Sequence, residues 1–155
     1  MNIRFEQQSI TNSRTKDVHC INMYNVDNDE QVGYFELNLA DYDWFFHYCN
    51  KPFFNHFVPL QKFVYLRYIF VNVTERQQGY GTKMLEYIDQ YIKENFNNVQ
   101  QIVILSYPFN AKMSEDNLLK FYKKHGFNQI VFPNEDKSLY RDCYETNVLI
   151  KNLVA

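Results

Sequence analysis

The stretch from Phe63 to Phe96 constrains this chain more than any other. Phe63 to Val73 is an unbroken β-branched and aromatic run, which predicts a buried strand. Tyr80 to Phe96 instead carries apolar residues at helical spacing: Met84, Leu85, Ile88, Tyr91, Ile92 and Phe96. Gly79 and Gly81 sit where the strand hands over to the helix. Lacking a Cβ, they let the backbone turn tightly and bring its amides close to a ligand. The first amides of a helix have no partner within it and lie at the positive end of its dipole. Together these features predict an anion site suited to a phosphate or pyrophosphate. A dinucleotide fingerprint would need a third glycine, which is absent, and a Walker loop would need Gly-Lys-Ser/Thr, whereas Gly81-Thr82-Lys83 has another order. A glycine-ended loop without a ligand is the bland alternative.

The totals narrow the setting. A chain of 155 residues, 46% apolar and 18% aromatic, predicts a single domain over residues 1–155 with a well-filled interior. A formal charge of −2 gives no footprint for nucleic acid or an anionic membrane. Cys20, Cys49 and Cys143 fit neither a zinc pattern nor a disulfide framework, so no metal is expected and a reducing cytoplasm is the simplest setting. No apolar run is long enough to span a bilayer, and no signal core follows Met1.

The remaining elements read in order. Ile3 to Gln8 predicts a short strand, Ser9 to Lys16 a turn, and Val18 to Val26 a strand with Val18, Cys20, Asn22, Tyr24 and Val26 on one face. Asp27-Asn28-Asp29 is turn chemistry, and Val32 to Leu39 closes a hairpin. Asp41 to Leu60, rich in aromatics and broken by Pro52 and Pro59, predicts two short helices. Gln101 to Tyr107 predicts another buried strand. Ser114 would cap a helix that carries Leu118, Leu119, Phe121 and Tyr122 and ends at Gly126. Phe127 to Phe132 and Cys143 to Lys151 predict closing strands around a polar loop, Pro133 to Arg141.

Arg76-x-x-Gly79-x-Gly81 resembles the acyl-CoA-binding motif of the GNAT superfamily of N-acetyltransferases, and Phe121-Tyr122-Lys123-Lys124-His125-Gly126-Phe127 is similar to the Phe-Tyr-x-x-x-Gly-Phe signature closing that family's last long helix. The resemblance covers Phe63 to Phe132, about half the chain. It implies an α/β (α+β) fold: a mixed, twisted, mostly antiparallel sheet of about seven strands flanked by helices. Two central parallel strands, Phe63 to Val73 and Gln101 to Tyr107, would splay apart. Acetyl-CoA would enter that wedge, its pantetheine on the backbone of Phe70, Val71 and Val73. Its pyrophosphate would rest on Gln77, Gln78, Gly79, Tyr80, Gly81 and Thr82, beside Arg76.

The implied reaction is direct acetyl transfer to a primary amine of a small molecule, peptide or protein. Tyr122 would be general acid, since a phenol keeps its proton at neutral pH and can give it to a nascent thiolate. Read by spacing alone, Tyr122 is a core aromatic. Two positions depart from the family pattern. Glu115 stands where an asparagine often contacts the cofactor, leaving Asn117 as candidate, and Tyr65 stands where histone-acetylating members carry a glutamate base. Glu36, Asp41, Asp43, His47 and His56 are the candidate bases. Arg67, in an apolar strand, needs a carboxylate, phosphate or solvent partner, so it joins Glu36 as a candidate acceptor contact. The helices that usually shape the acceptor pocket do not fit into Ser9 to Asp17, so the acceptor cannot be carried over by analogy. A homodimer is compatible with the resemblance. The alternative to an enzyme is a catalytically silent acyl-CoA-binding or protein-interaction module on the same fold.

Overall fold

A computed structural model describes residues 2–8, 11–13, 16–41, 62–72, 79–106, 115–129 and 147–153. The chain divides into two compact units, Met1–Leu39 with Val64–Asn97 and Ala40–Phe63 with Asn98–Ala155.

The first unit holds β1 (Ile3–Gln7), β2 (Thr11–Ser13), β3 (Lys16–Asn25), β4 (Glu30–Ala40), β5 (Phe63–Val71) and α1 (Tyr80–Asn95), except for the end residues Ala40 and Phe63. The spatial order is β1-β3-β4-β5, with β2 also on β3. β1 and β2 both run antiparallel to β3, pairing with its far and near ends. The β3–β4 hairpin turns on Asn side chains: Asn25 Oδ1 accepts from Asp27 N–H at 2.9 Å and Asn28 Oδ1 from Glu30 N–H at 3.0 Å. Asp29, at φ 57, takes the left-handed conformation. β4 and β5 are also antiparallel, since Val32 C=O accepts from Asn72 N–H at 2.8 Å and the Tyr34 ring lies 5.5 Å from that of Phe70.

One expectation changes here. Ser9 to Lys16 is not simply a turn, because Thr11–Ser13 pairs with Lys16–Val18. The most deeply buried side chains of β3 are Ile21 and Met23, with Val26 exposed in the turn. β3 is covered on both sides, since Val18 and Asn22 of the predicted face are buried as well.

α1 packs Tyr80, Met84, Leu85, Ile88, Tyr91 and Ile92 inward, a stripe at 3.6-residue spacing. Its aromatic residues meet the sheet: Tyr87 stacks on Phe5 at 3.9 Å, and Tyr91 lies edge-on to Phe35. His19 Nδ1 lies 2.6 Å from the Tyr91 hydroxyl.

The closest backbone approach is at Gly33. Met23 pairs with Gly33 and Tyr24 with Gln31, so Val32 is an extra residue on β4, a bulge. A Cβ on Gly33 would collide with the Phe70 carbonyl and stand 3.0 Å from Met84 Cε and 3.2 Å from Val71 Cα. Glycine here lets β5 and α1 close onto β4 together.

The second unit holds β6 (Gln101–Ser106), α2 (Glu115–Lys124), β7 (Asn128–Gln129) and β8 (Asn147–Asn152). β8 lies between β6 and β7 and is antiparallel to both. Ile102, Val103, Ile104, Leu149 and Ile150 are buried. The two strands expected to splay, β5 and β6, fall one in each unit. Of the segment predicted to form two short helices, Asp41 is half-exposed and 42–60 lie outside the described residues, as does the loop 133–141.

Gly33→Ala is expected to lower stability by about 1–3 kcal/mol, the usual cost of forcing an atom into a packed contact. Chemical denaturation of the variant beside the wild-type chain checks it. A second outcome concerns His19, whose pKa is lowered from 6.5, first by loss of solvent and against the raising effect of Asp17. A depressed pKa means the folded state resists the proton, so stability is lost as pH falls below about 6.5. Melting curves between pH 5 and 7.5 should show a shallower acid-side decline in His19→Gln than in the wild type.

Candidate active site

The strand and the helix start expected to flank an anion site are present, and the turn between them, 73–78, lies outside the described residues. β5 is buried over Phe63, Val64, Tyr65 and Leu66, then becomes half-exposed at Arg67, Ile69, Phe70 and Val71. Phe70 and Val71 are among the positions proposed for the pantetheine. Val73, Arg76, Gln77 and Gln78 lie outside the described residues.

Gly79 is the N-cap of α1, at φ 84 and ψ 4, and no side chain caps the helix. That left-handed conformation suits glycine and strains any residue with a Cβ. The first turn of α1 contains no acidic residue, so no carboxylate of its own competes for the positive end of the dipole. These features fit a pyrophosphate. Tyr80 is nearly buried and its hydroxyl accepts from Asn25 Nδ2 at 3.2 Å, so that side chain is part of the core and only its main chain can face a ligand. Gly81 and Thr82 follow within the helix.

In the second unit, the end of α2 explains the aromatic signature physically. Gly126, at φ 93, donates to Lys123 C=O at 3.1 Å, and Phe127 N–H donates to Tyr122 C=O at 3.1 Å. This pair of bonds is a Schellman motif, in which the residue two past the cap also packs on the residue that accepts its amide. The Phe127 ring stands 5.6 Å from the Tyr122 ring, edge to face. Phe121 adds a third ring at 5.4 Å. The Phe-Tyr-x-x-x-Gly-Phe pattern is thus a helix stop that locks one tyrosine in place. Tyr122 is 4% exposed, and burial holds its phenol well above the ordinary value of 10, so it keeps its proton through neutral pH. Asn117 lies one and a half turns earlier on α2, exposed.

Tyr65, at the position of the family's occasional base, is buried. Glu36 and Arg67 are both half-exposed, but on different faces: Glu36 shares parity with Tyr34, which meets Phe70, and Arg67 alternates away from Phe70. Asp43, His47 and His56 lie outside the described residues. Gly33 was not singled out from sequence, although a lone glycine inside an alternating strand signals a bulge or close approach. Among the described residues, no group of three or more His, Cys, Asp or Glu is placed to hold a metal, and no helix is long and apolar enough to cross a membrane.

A family model described as "Acetyltransferase (GNAT) domain" matches residues 19–129, and this chain belongs to that family of acetyltransferases. The solved structures that it resembles include a GNAT-family acetyltransferase from Staphylococcus aureus Mu50 (TM-score 0.55, 18% identity, 88% of this chain and 68% of that one). A second is the PaiA N-acetyltransferase from Thermoplasma acidophilum in complex with coenzyme A (TM-score 0.54, 12% identity, 88% of this chain). The present chain spans 61% of the length of that protein. Naa50 from Arabidopsis thaliana, in complex with the bisubstrate analogue CoA-Ac-MVNAL, matches at TM-score 0.52 and 19% identity over 85% of this chain and 71% of its own. At these identities the likeness is one of fold, the mixed, mostly antiparallel sheet flanked by helices that the motifs imply. No curated protein matches by sequence.

The glycines give a paired outcome. Gly81→Ala improves helix propensity at an ordinary helical position, so it should melt no lower than wild type yet bind acetyl-CoA more weakly. Gly79→Ala should lose affinity and also about 1 kcal/mol of stability from its positive φ. Calorimetric titration with acetyl-CoA beside melting curves checks both, and unchanged affinity in both removes the ligand from this turn.

Proposed function

We propose that this chain moves the acetyl group of acetyl-CoA to a primary amine by direct attack, with Tyr122 as general acid, as a single domain acting in the cytoplasm. The observation that carries the reading is the Tyr122 phenol, buried, protonated and held by the α2 stop. The match over residues 19–129 supports a single domain, since it runs through both units.

Acetyl-CoA, when bound, supplies the acetyl group as a reactive thioester. In this reading Phe70, Val71 and Val73 hold its pantetheine arm by their backbone, and Arg76 with the main chain of residues 77–82 holds the pyrophosphate. Asn117 is a further contact. The amine must arrive, or become, neutral before its nitrogen attacks the carbonyl carbon. As the carbon–sulfur bond breaks, Tyr122 gives its hydroxyl proton to the departing sulfur and later recovers one from solvent. A raised pKa keeps that proton available at all neutral pH values but makes the phenol a weak acid, so its donation matters only once charge builds on sulfur. The acetylated amine loses its extra proton to water or to a base, for which Asp41 remains a candidate.

Tyr122→Phe keeps the ring and its contacts with Phe121 and Phe127. Its kcat is expected to fall by roughly 10²–10⁴, with KM and acetyl-CoA affinity little changed. Thiol release from acetyl-CoA over a panel of amines and peptides, beside a melting curve, checks this. Wild-type turnover in the variant ends the acid assignment. Acetyl-CoA binding without thiol release for any acceptor identifies a silent module.

A further inference from the structure

We infer that the face of β3, β4 and β5 turned away from α1 recognises an organic cation and that, on the transferase reading above, the acceptor carries a second, charged amine besides the one acetylated. The register assembles this face in two rows. Cys20 pairs with Glu36, and Asn22 with Tyr34, across β3 and β4. The Val32–Asn72 hydrogen bond and the Tyr34–Phe70 ring contact carry the rows onto β5, placing Phe70 beside Tyr34 and Tyr68 level with Glu36. The opposite face, with Ile21, Met23, Gly33 and Phe35, is the one that α1 covers.

Glu36 is the one carboxylate in these rows. Among the described residues no cation lies within ion-pair distance of it: Arg4 is engaged with Asp29 and Glu6, and Lys83 with Glu86. Around it stand the rings of Tyr34, Phe70 and Tyr68, the last 43% exposed. A half-buried carboxylate with aromatic faces beside it matches an alkylammonium, whose charge meets the carboxylate and whose methylenes meet the rings. The neighbourhood is shared and partly dry, because the Tyr34 phenol is raised first by loss of solvent and then by Glu36, Cys20 and Tyr68. Cys20 is likewise raised by burial and by Glu36, which keeps its thiol protonated and excludes it as a competing anion.

Chemistry then requires two nitrogens. An amine held as a cation at Glu36 has no lone pair to attack the thioester, so the reacting nitrogen is a different one on the same molecule. Diamines and peptides with a basic side chain near the reacting amine belong to this class; neutral monoamines and amino alcohols do not.

Diaminobutane and diaminohexane, compared with amino alcohols of the same lengths, test the proposal. The wild-type chain should favour each diamine by roughly 10- to 100-fold, expressed in KM, the range expected for a hydrogen-bonded charge. Glu36→Gln, isosteric and on a half-exposed strand position, should abolish the preference while acetyl-CoA affinity is retained. No preference in wild type, or one that survives in Glu36→Gln, overturns the proposal. If acetyl-CoA binds and no acceptor is consumed, the transferase reading is what fails. Calorimetry of diaminohexane alone then decides the surface: saturable binding lost in Glu36→Gln supports it, and equal or absent binding overturns it.

Discussion

Much of the first unit depends on a side chain that is not there. At Gly33, beside the Val32 bulge, the backbone of β5 and the Met84 side chain of α1 both come within contact distance of where a Cβ would stand. Any Cβ would separate β5 from β4 at Phe70 and Val71. Those are the positions read as the cofactor strand, so the packing of the core and the placing of that strand answer to one steric condition. β5 changes from covered on both sides to half-exposed just before that point.

The two units use glycine differently from this. Gly79 begins α1 and Gly126 ends α2, and both adopt positive φ. At Gly79 the conformation leaves a helix start free of side-chain caps. At Gly126 it turns the chain back so that Tyr122 and Phe127 share a hydrogen bond and a ring contact. One glycine exposes main-chain donors and the other consumes main-chain acceptors.

Much of this could be read from residue order. The strand–glycine–helix handover, the hairpin turn at Asp27-Asn28-Asp29 and the helix ending at Gly126 rest on local chemistry, and local chemistry survives folding. What could not be read depended on neighbours distant in sequence. Which side of β3 faces α1 could not be read, because both sides are buried, which removes the contrast that alternation needs. Thr11–Ser13 is too short to have a pattern and becomes a strand through its partner alone. The Tyr80 amide was read as a ligand contact, but that its ring belongs to the core, where Asn25 donates to it from 55 residues away, could not be read. The rows across Cys20, Glu36 and Tyr68 were invisible for the same reason, since register is set by a bulge and not by composition.

The division of β3 between two short partners has a consequence for how the protein keeps to itself. A strand of ten residues with an open side would offer a long ladder of unpaired donors and acceptors to any neighbouring chain. Here that side is taken by β1 at one end and β2 at the other. The outermost strand of the unit is then only five residues long and bears Arg4 and Glu6, with Arg4 further held by Asp29 at 2.8 Å. A short, charged border of this kind is a poor template for fibril growth, and the chain carries its protection against β-aggregation in its first dozen residues.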